Sequence, residues 1–148
     1  MGTATMAQMT LERLYQNFEV LGNWEDRYRF IIEMGRKLPS LNESDKTPEN
    51  RVHGCISTVY MTVHKTNDNP PKIQFAANSD ALIVNGLIAI LQIVYADKTA
   101  EEITAINIKD VFHKLGLDSH LSPNRRNGFF AMVERLQNTS KKLASTKE

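Results

Sequence analysis

Cysteine is nearly missing from this chain: Cys55 is the single one among 148 residues. One thiol excludes an intramolecular disulfide, and it excludes a cysteine-based zinc site unless another chain contributes ligands. A free thiol suits a reducing compartment, which points to the cytoplasm. Charge of one sign is lacking as well. The 18 Lys and Arg against 17 Asp and Glu leave a formal net charge of +1, without the strongly basic balance of a nucleic-acid-binding domain. Long hydrophobic runs are also absent. The most apolar stretch, 81–96, is shorter than the about 20 residues that span a bilayer, and Asn85 and Gln92 interrupt it. The first nine residues have no basic segment leading into an apolar one, so no signal peptide is expected. Neither a membrane nor a nucleic acid is an expected partner.

Recognisable catalytic apparatus is missing too. The chain has no phosphate-binding glycine loop, no Gly-x-Ser-x-Gly elbow and no His-Glu-x-x-His. His64, His113 and His120 lack metal-ligand spacing and read as surface residues.

What is present suits one domain with one sizeable core. The composition is 41% hydrophobic and 24% charged, which argues against an intrinsically disordered chain. Residues 1–9 read as a disordered tail, 10–142 as the folded domain and 143–148 as a polar tail. Thr10 is placed to cap a first helix bearing Leu11, Leu14, Tyr15 and Phe18 at helical spacing, with Gly22 as its stop. Asn23 caps a second, with Glu25 and Asp26 in the first turn, Arg36 and Lys37 in the last, and Pro39 beyond. Its inner face is Trp24, Tyr28, Ile31, Ile32 and Gly35. Residues 40–50 are polar after Leu41 and read as an exposed loop.

From Cys55 the period becomes two. A strand starting there pairs with 72–77 across the turn 66–71, and it puts the thiol on the face of Val59 and Met61, at the rim of the core. Asn78-Ser79-Asp80 supplies cap residues for an almost wholly apolar helix over 81–96, the pattern of a helix buried in a domain centre. Thr99 and Glu102 match a capping box. Short helices follow to about Ile106 and from Asn107 to Leu115, with Gly116 as the stop. Ser122-Pro123 opens a last helix with Phe129, Met132, Val133 and Leu136 on one face. The fold class is therefore α+β: a small antiparallel sheet packed by helices.

Two stretches carry candidate chemistry. Cys55 can be a small buried hydrophobe or a nucleophile. It follows a polar loop, and Gly54 beside it permits an unusual backbone and close approach by another molecule. A reactive thiol needs access and positive potential. In a regular strand His53 points away from the sulfur, so it reads as a solvent-exposed residue. Arg125 and Arg126 are a better source of positive charge. Two cations in the first turn of a helix oppose its dipole, so they are either a tolerated solvated pair or a site facing an anion or an acidic partner surface. Asp80 reads as a capping or dipole residue. These residues leave Cys55 either a structural thiol, in an interaction module, or a reactive one, as in a stand-alone thiol enzyme such as a peroxidase.

Four ordered segments narrow the choice: Trp24-Glu25-Asp26-Arg27-Tyr28 with Ile31-Ile32-Glu33-Met34-Gly35 and Leu38-Pro39; Val52-His53-Gly54-Cys55-Ile56-Ser57; Asn78-Ser79-Asp80-Ala81-Leu82-Ile83-Val84-Asn85-Gly86-Leu87; and Leu121-Ser122-Pro123-Asn124-Arg125-Arg126-Asn127-Gly128. Together they resemble the SufE family of sulfur acceptors, over about residues 18–134. The resemblance implies a SufE/IscU-like fold and a sulfur-transfer partner rather than an enzyme. It implies that Cys55 accepts sulfane sulfur, as a transient persulfide, from a SufS-type cysteine desulfurase. Sulfur then passes to iron–sulfur scaffold proteins downstream. The PLP belongs to the desulfurase, and the chain has no cofactor of its own. Arg125 corresponds to the family arginine of the desulfurase complex and Asp80 to a residue near the active loop, with His53, Gly54 and Arg126 as supporting neighbours. A sheltered cysteine on a movable loop is implied, with 40–50 and Gly54 supplying the motion. Monomer and homodimer are both compatible. Tyr60 stands where the family often has tryptophan, Asn85 where lysine is common and Arg126 where a small residue is common.

Overall fold

The structure is a computed structural model that describes residues 9–54 and 57–145. Thr10 accepts a hydrogen bond from the Arg13 amide and opens α1 (Leu11–Leu21), which Gly22 closes. Asn23 accepts from Asp26 and opens α2 (Trp24–Arg36). Each cap satisfies a backbone donor that the first helical turn leaves unpaired.

The segment 40–50 is more structured than an open loop. It makes two single 3-10 turns, Glu43–Asp45 and Pro48–Asn50. Leu41 is buried beneath it, and the Asn50 amide donates to the Asp45 carbonyl at 2.7 Å.

Three antiparallel strands follow in spatial order β1-β2-β3: β1 (Val59–Lys65), β2 (Lys72–Ser79) and the two-residue β3 (Lys98–Thr99). Val59 faces Ser79, Met61 faces Ala77 and Val63 faces Phe75. Val59, Met61, Ile73, Phe75 and Ala77 are buried, so the predicted alternation holds for both long strands. The start of the first strand differs from the sequence expectation. It begins at Val59, because the Thr58 amide goes to the Asp80 carboxylate rather than to a strand partner, while Val52 donates back to the Val59 carbonyl at 2.9 Å. Cys55 itself lies outside the described residues, as do residues 1–8 of the expected tail and 146–148.

The central element is α3 (Leu82–Tyr95), buried along most of its length. It packs between α2, the sheet and α7 (Pro123–Ser145). Its crossing with α2 is close enough to require glycine on both sides. A Cβ on Gly35 would lie 2.5 Å from the Gly86 nitrogen, and one on Gly86 would lie 2.4 Å from the Ile31 carbonyl oxygen.

The expected capping box holds Thr99 and Glu102 at the start of α4 (Ala100–Ala105). Asn107 caps α5 (Ile108–Lys114). A four-residue α6 (Leu117–His120), absent from the sequence expectation, follows Gly116. The last helix continues to Ser145, through 143–145, which the sequence placed in a tail. Its Phe129, Met132, Val133 and Leu136 are buried as predicted. Among the described residues no helix is long and apolar enough to cross a membrane, and no group of three or more His, Cys, Asp or Glu is placed to hold a metal.

Candidate functional site

The Cys55 segment is a short loop closed at its base. The Val52–Val59 hydrogen bond and an antiparallel bridge between Arg51 and Tyr60 form a neck between the residues before and after it. Gly54 has φ +96°, a conformation that a side chain disfavours. A Cβ there would also stand 3.1 Å from the Ala131 Cβ of α7. The glycine thus makes both the turn and the close seat on the helix. His53 is exposed and has no polar partner among the described residues.

The outgoing limb is tied to the start of α3. The Thr58 amide donates to Asp80 Oδ1 at 3.2 Å, and the Asp80 amide donates to the Thr58 carbonyl at 3.4 Å. This corrects the expectation that Asp80 caps α3. The cap position is Ala81, which makes no side-chain cap bond, and the Asp80 carboxylate serves the loop instead. The turn into α3 is held by Asn85. Its amide accepts from the Ser79 nitrogen at 2.8 Å and donates to the Ser79 carbonyl at 3.0 Å. Sequence reasoning did not assign Asn85 a structural task. The available signal was one amide in an otherwise apolar helical run.

Beside the outgoing limb is a cavity of about 240 Å³ lined by Ser57, Val84, Leu87, Ser122, Asn124, Arg125, Gly128, Phe129 and Met132. It brings together the flank of the Cys55 loop, the middle of the domain and the first turns of α7. Ser122 caps α7 through the Arg125 amide, with Pro123 at the first helical position. The structure separates the two arginines. Arg125 is exposed, lines the cavity and has no acidic or other polar side-chain partner among the described residues. Arg126 turns away and donates to the Asp118 carbonyl in α6 at 3.1 Å, so its task is to join two helices. An unpaired guanidinium at a helix N-terminus gives the cavity a positive wall, and the helix dipole adds to it.

A larger cavity, about 560 Å³, lies along β2 and the ends of α2 and α3. Its only charged lining residues are Lys37 and Asp97, and Asp97 is occupied by Gln74 at 3.1 Å. It holds no nucleophile among the described residues.

Of the three histidines read as surface residues, His113 and His120 have specific contacts. His113 is exposed and pairs with Asp118 at 2.8 Å. The Asp118 carboxylate, first by its hydrogen bond and then by its charge, raises the His113 pKa, and the same hydrogen bond lowers that of Asp118. His120 stacks on Trp24 with ring centroids 4.1 Å apart, and its carbonyl accepts from the Tyr28 hydroxyl. Both arrangements lock α5, α6 and α2 together and lie outside the cavity lining.

This geometry defines a small α+β domain carrying one short, glycine-turned loop against a cation-walled cavity. Comparison with known proteins agrees. A family model described as SufE, Fe-S metabolism associated domain, matches residues 12–140. An uncharacterized SufE-like protein of Rhizobium meliloti (strain 1021) is 43% identical over 129 residues, covering 86% of this chain and 92% of the relative. A second, from Rhizobium etli, is 42% identical over 137 residues, covering 92% of this chain and 93% of the relative. The chain belongs to the SufE family, whose domain is associated with iron–sulfur metabolism. The fold is shared with a solution structure of a hypothetical protein from Thermus thermophilus, at a TM-score of 0.71 and 21% identity, covering 93% of this chain and all of that one.

Proposed function

We propose that this protein is a sulfur carrier that takes persulfide sulfur from a PLP-dependent, SufS-type cysteine desulfurase onto Cys55, stimulates that enzyme and delivers sulfur to iron–sulfur cluster assembly. The observation that supports the proposal is that Ser57, two residues after the chain's single thiol, shares a cavity wall with Arg125, in a chain of the SufE family.

The transfer step balances without an added oxidant. The Cys55 thiolate attacks the outer sulfur of the desulfurase persulfide. A new S–S bond forms on Cys55, the old S–S bond breaks, and the desulfurase cysteine leaves as a thiolate. The rate follows thiolate fraction, leaving-group pKa and access, as in other thiol exchanges. Arg125 faces the partner and contributes positive potential at the cavity. Asp80 and Gly54 hold the loop. The chain needs no cofactor of its own for this step, and a working free thiol places it in the cytoplasm.

Intact mass spectrometry tests the proposal. The protein is mixed with a desulfurase and cysteine. The expected result is a gain of one sulfur on wild type and none on Cys55→Ser. A wild type that gains nothing while the desulfurase itself carries persulfide sinks the carrier role. If Cys55→Ser stimulates the desulfurase as wild type does, the protein is an interaction module instead.

A further inference from the structure

We propose that Arg135 is a positioning residue for sulfur transfer, fixing the incoming limb of the Cys55 loop against α7 and so setting where the thiol can reach. The inference rests on the acceptor role proposed above.

Arg135 projects from the middle of α7. One guanidinium nitrogen donates to the Arg51 carbonyl at 3.0 Å and another to the Glu49 carbonyl at 2.6 Å. Those partners are 84 and 86 residues away in sequence. The peptide unit joining Arg51 to Val52 is held on both sides. Its carbonyl is taken by Arg135, and its N–H is taken by the Val59 carbonyl at 2.9 Å. That peptide is the incoming side of the neck and stands two residues before Gly54.

One helical turn earlier, on the same face of α7, Ala131 seats Gly54. A single row of the helix therefore fixes both the neck and the turn just before Cys55. Arg135 has no carboxylate within salt-bridge distance among the described residues, and its hydrogen bonds run to these two carbonyls. A planar fork suits two carbonyls at once, whereas a lysine ammonium is a point charge.

Transfer of sulfur between two thiols needs the three sulfurs close to in line. A misplacement of about 1 Å in such a geometry can cost on the order of 100-fold in rate. A residue that acts by holding the loop in place should affect the rate at saturation and not the affinity.

The experiment measures sulfur transferred to Cys55 from a SufS-type desulfurase at rising concentrations of this protein, for wild type, Arg135→Ala and Arg135→Lys, with a thermal melt of each. Arg135→Ala is expected to lower the saturating rate by about 10-fold or more while the half-saturating concentration stays within about twofold. Arg135→Lys, which keeps the charge and the stem, is expected to recover only part of that rate. If Arg135→Ala does not fold, the intermediate saturating rate of Arg135→Lys carries the test. An unchanged saturating rate beside a lowered Tm makes Arg135 a structural tie only. A raised half-saturating concentration at unchanged rate makes it a docking residue. Either outcome overturns the proposal. Failure of wild type to take up sulfur at all overturns the acceptor role instead, so the two failures are distinct.

Discussion

Tyr95 ends α3 with its side chain fully buried and its hydroxyl without a hydrogen-bond partner among the described residues. Burial pushes its pKa up to about 12, and the nearby Gln137 amide opposes that shift without reaching hydrogen-bonding geometry. The sign follows from which form the fold prefers. The folded state favours the neutral phenol, so its contribution is complete below the unfolded value near pH 10. It is lost as pH rises through about 12. Two pH units correspond to at most about 2–3 kcal/mol. Tyr95→Phe should therefore lose less stability than wild type between pH 8 and pH 11. It should also be equal to wild type or about 1 kcal/mol more stable at pH 8, because an unsatisfied buried hydroxyl is removed. Urea unfolding at the two pH values measures both effects. Equal alkaline losses in the two proteins would refute this account of Tyr95. Nothing in the sequence distinguished this tyrosine from Tyr15 or Tyr28, because its cost arises from burial by segments distant in the chain.

At the scale of elements, local signals were legible and contacts between distant segments were not. Thr10, Asn23, Thr99 with Glu102, and Ser122 each announced a helix start, and each makes the cap bond expected of it. The hairpin and its buried parity were likewise readable, because period two requires only neighbours. The start of β1 was misplaced because Thr58 gives its amide to Asp80, 22 residues away. Arg135 went unnoticed for the same reason, since its partners are over 80 residues distant. Helix α6 is too short to leave a periodic trace, and β3 has only two residues. The α2–α3 crossing shows how such hidden contacts set energies. Gly35 and Gly86 were visible as glycines on apolar faces, but their mutual approach was not. Gly86→Ala would drive a Cβ into backbone atoms of Ile31, at 2.4 and 2.8 Å, which cannot move without separating the helices. The loss should reach or exceed about 3 kcal/mol, the upper part of the range for overpacked cores. Denaturant unfolding of Gly86→Ala checks it. A loss below about 1 kcal/mol, the ordinary scatter of point mutants, would mean that the crossing relaxes easily.

The whole molecule is arranged so that one helix is shared by every packing layer. Helix α3 meets α2 on one side and the sheet and α7 on others, and Leu87, Ile88, Ala89, Ile90 and Leu91 are almost fully buried. No layer can leave without exposing it, so the domain should unfold as one cooperative unit. The functional loop draws on the same frame while remaining outside it. Its ties run to Asp80 at the front of α3 and to Ala131 and Arg135 on α7. Apart from Val52, whose side chain is buried in the core, they consist of a few hydrogen bonds and one close contact. Such a region can open while the core stays closed. Native-state hydrogen exchange separates the two levels. The amides of residues 87–91 should exchange only through global unfolding, with opening free energies equal to that from denaturant titration. The Val52 and Thr58 amides, which hold the two limbs of the loop, should open at a clearly lower free energy. In Arg135→Ala the Val52 value should fall further while residues 87–91 follow only the change in global stability. If Val52 and Thr58 matched the α3 core, the loop would be part of the cooperative unit. The thiol could then reach a partner's active site only by partial unfolding of the domain.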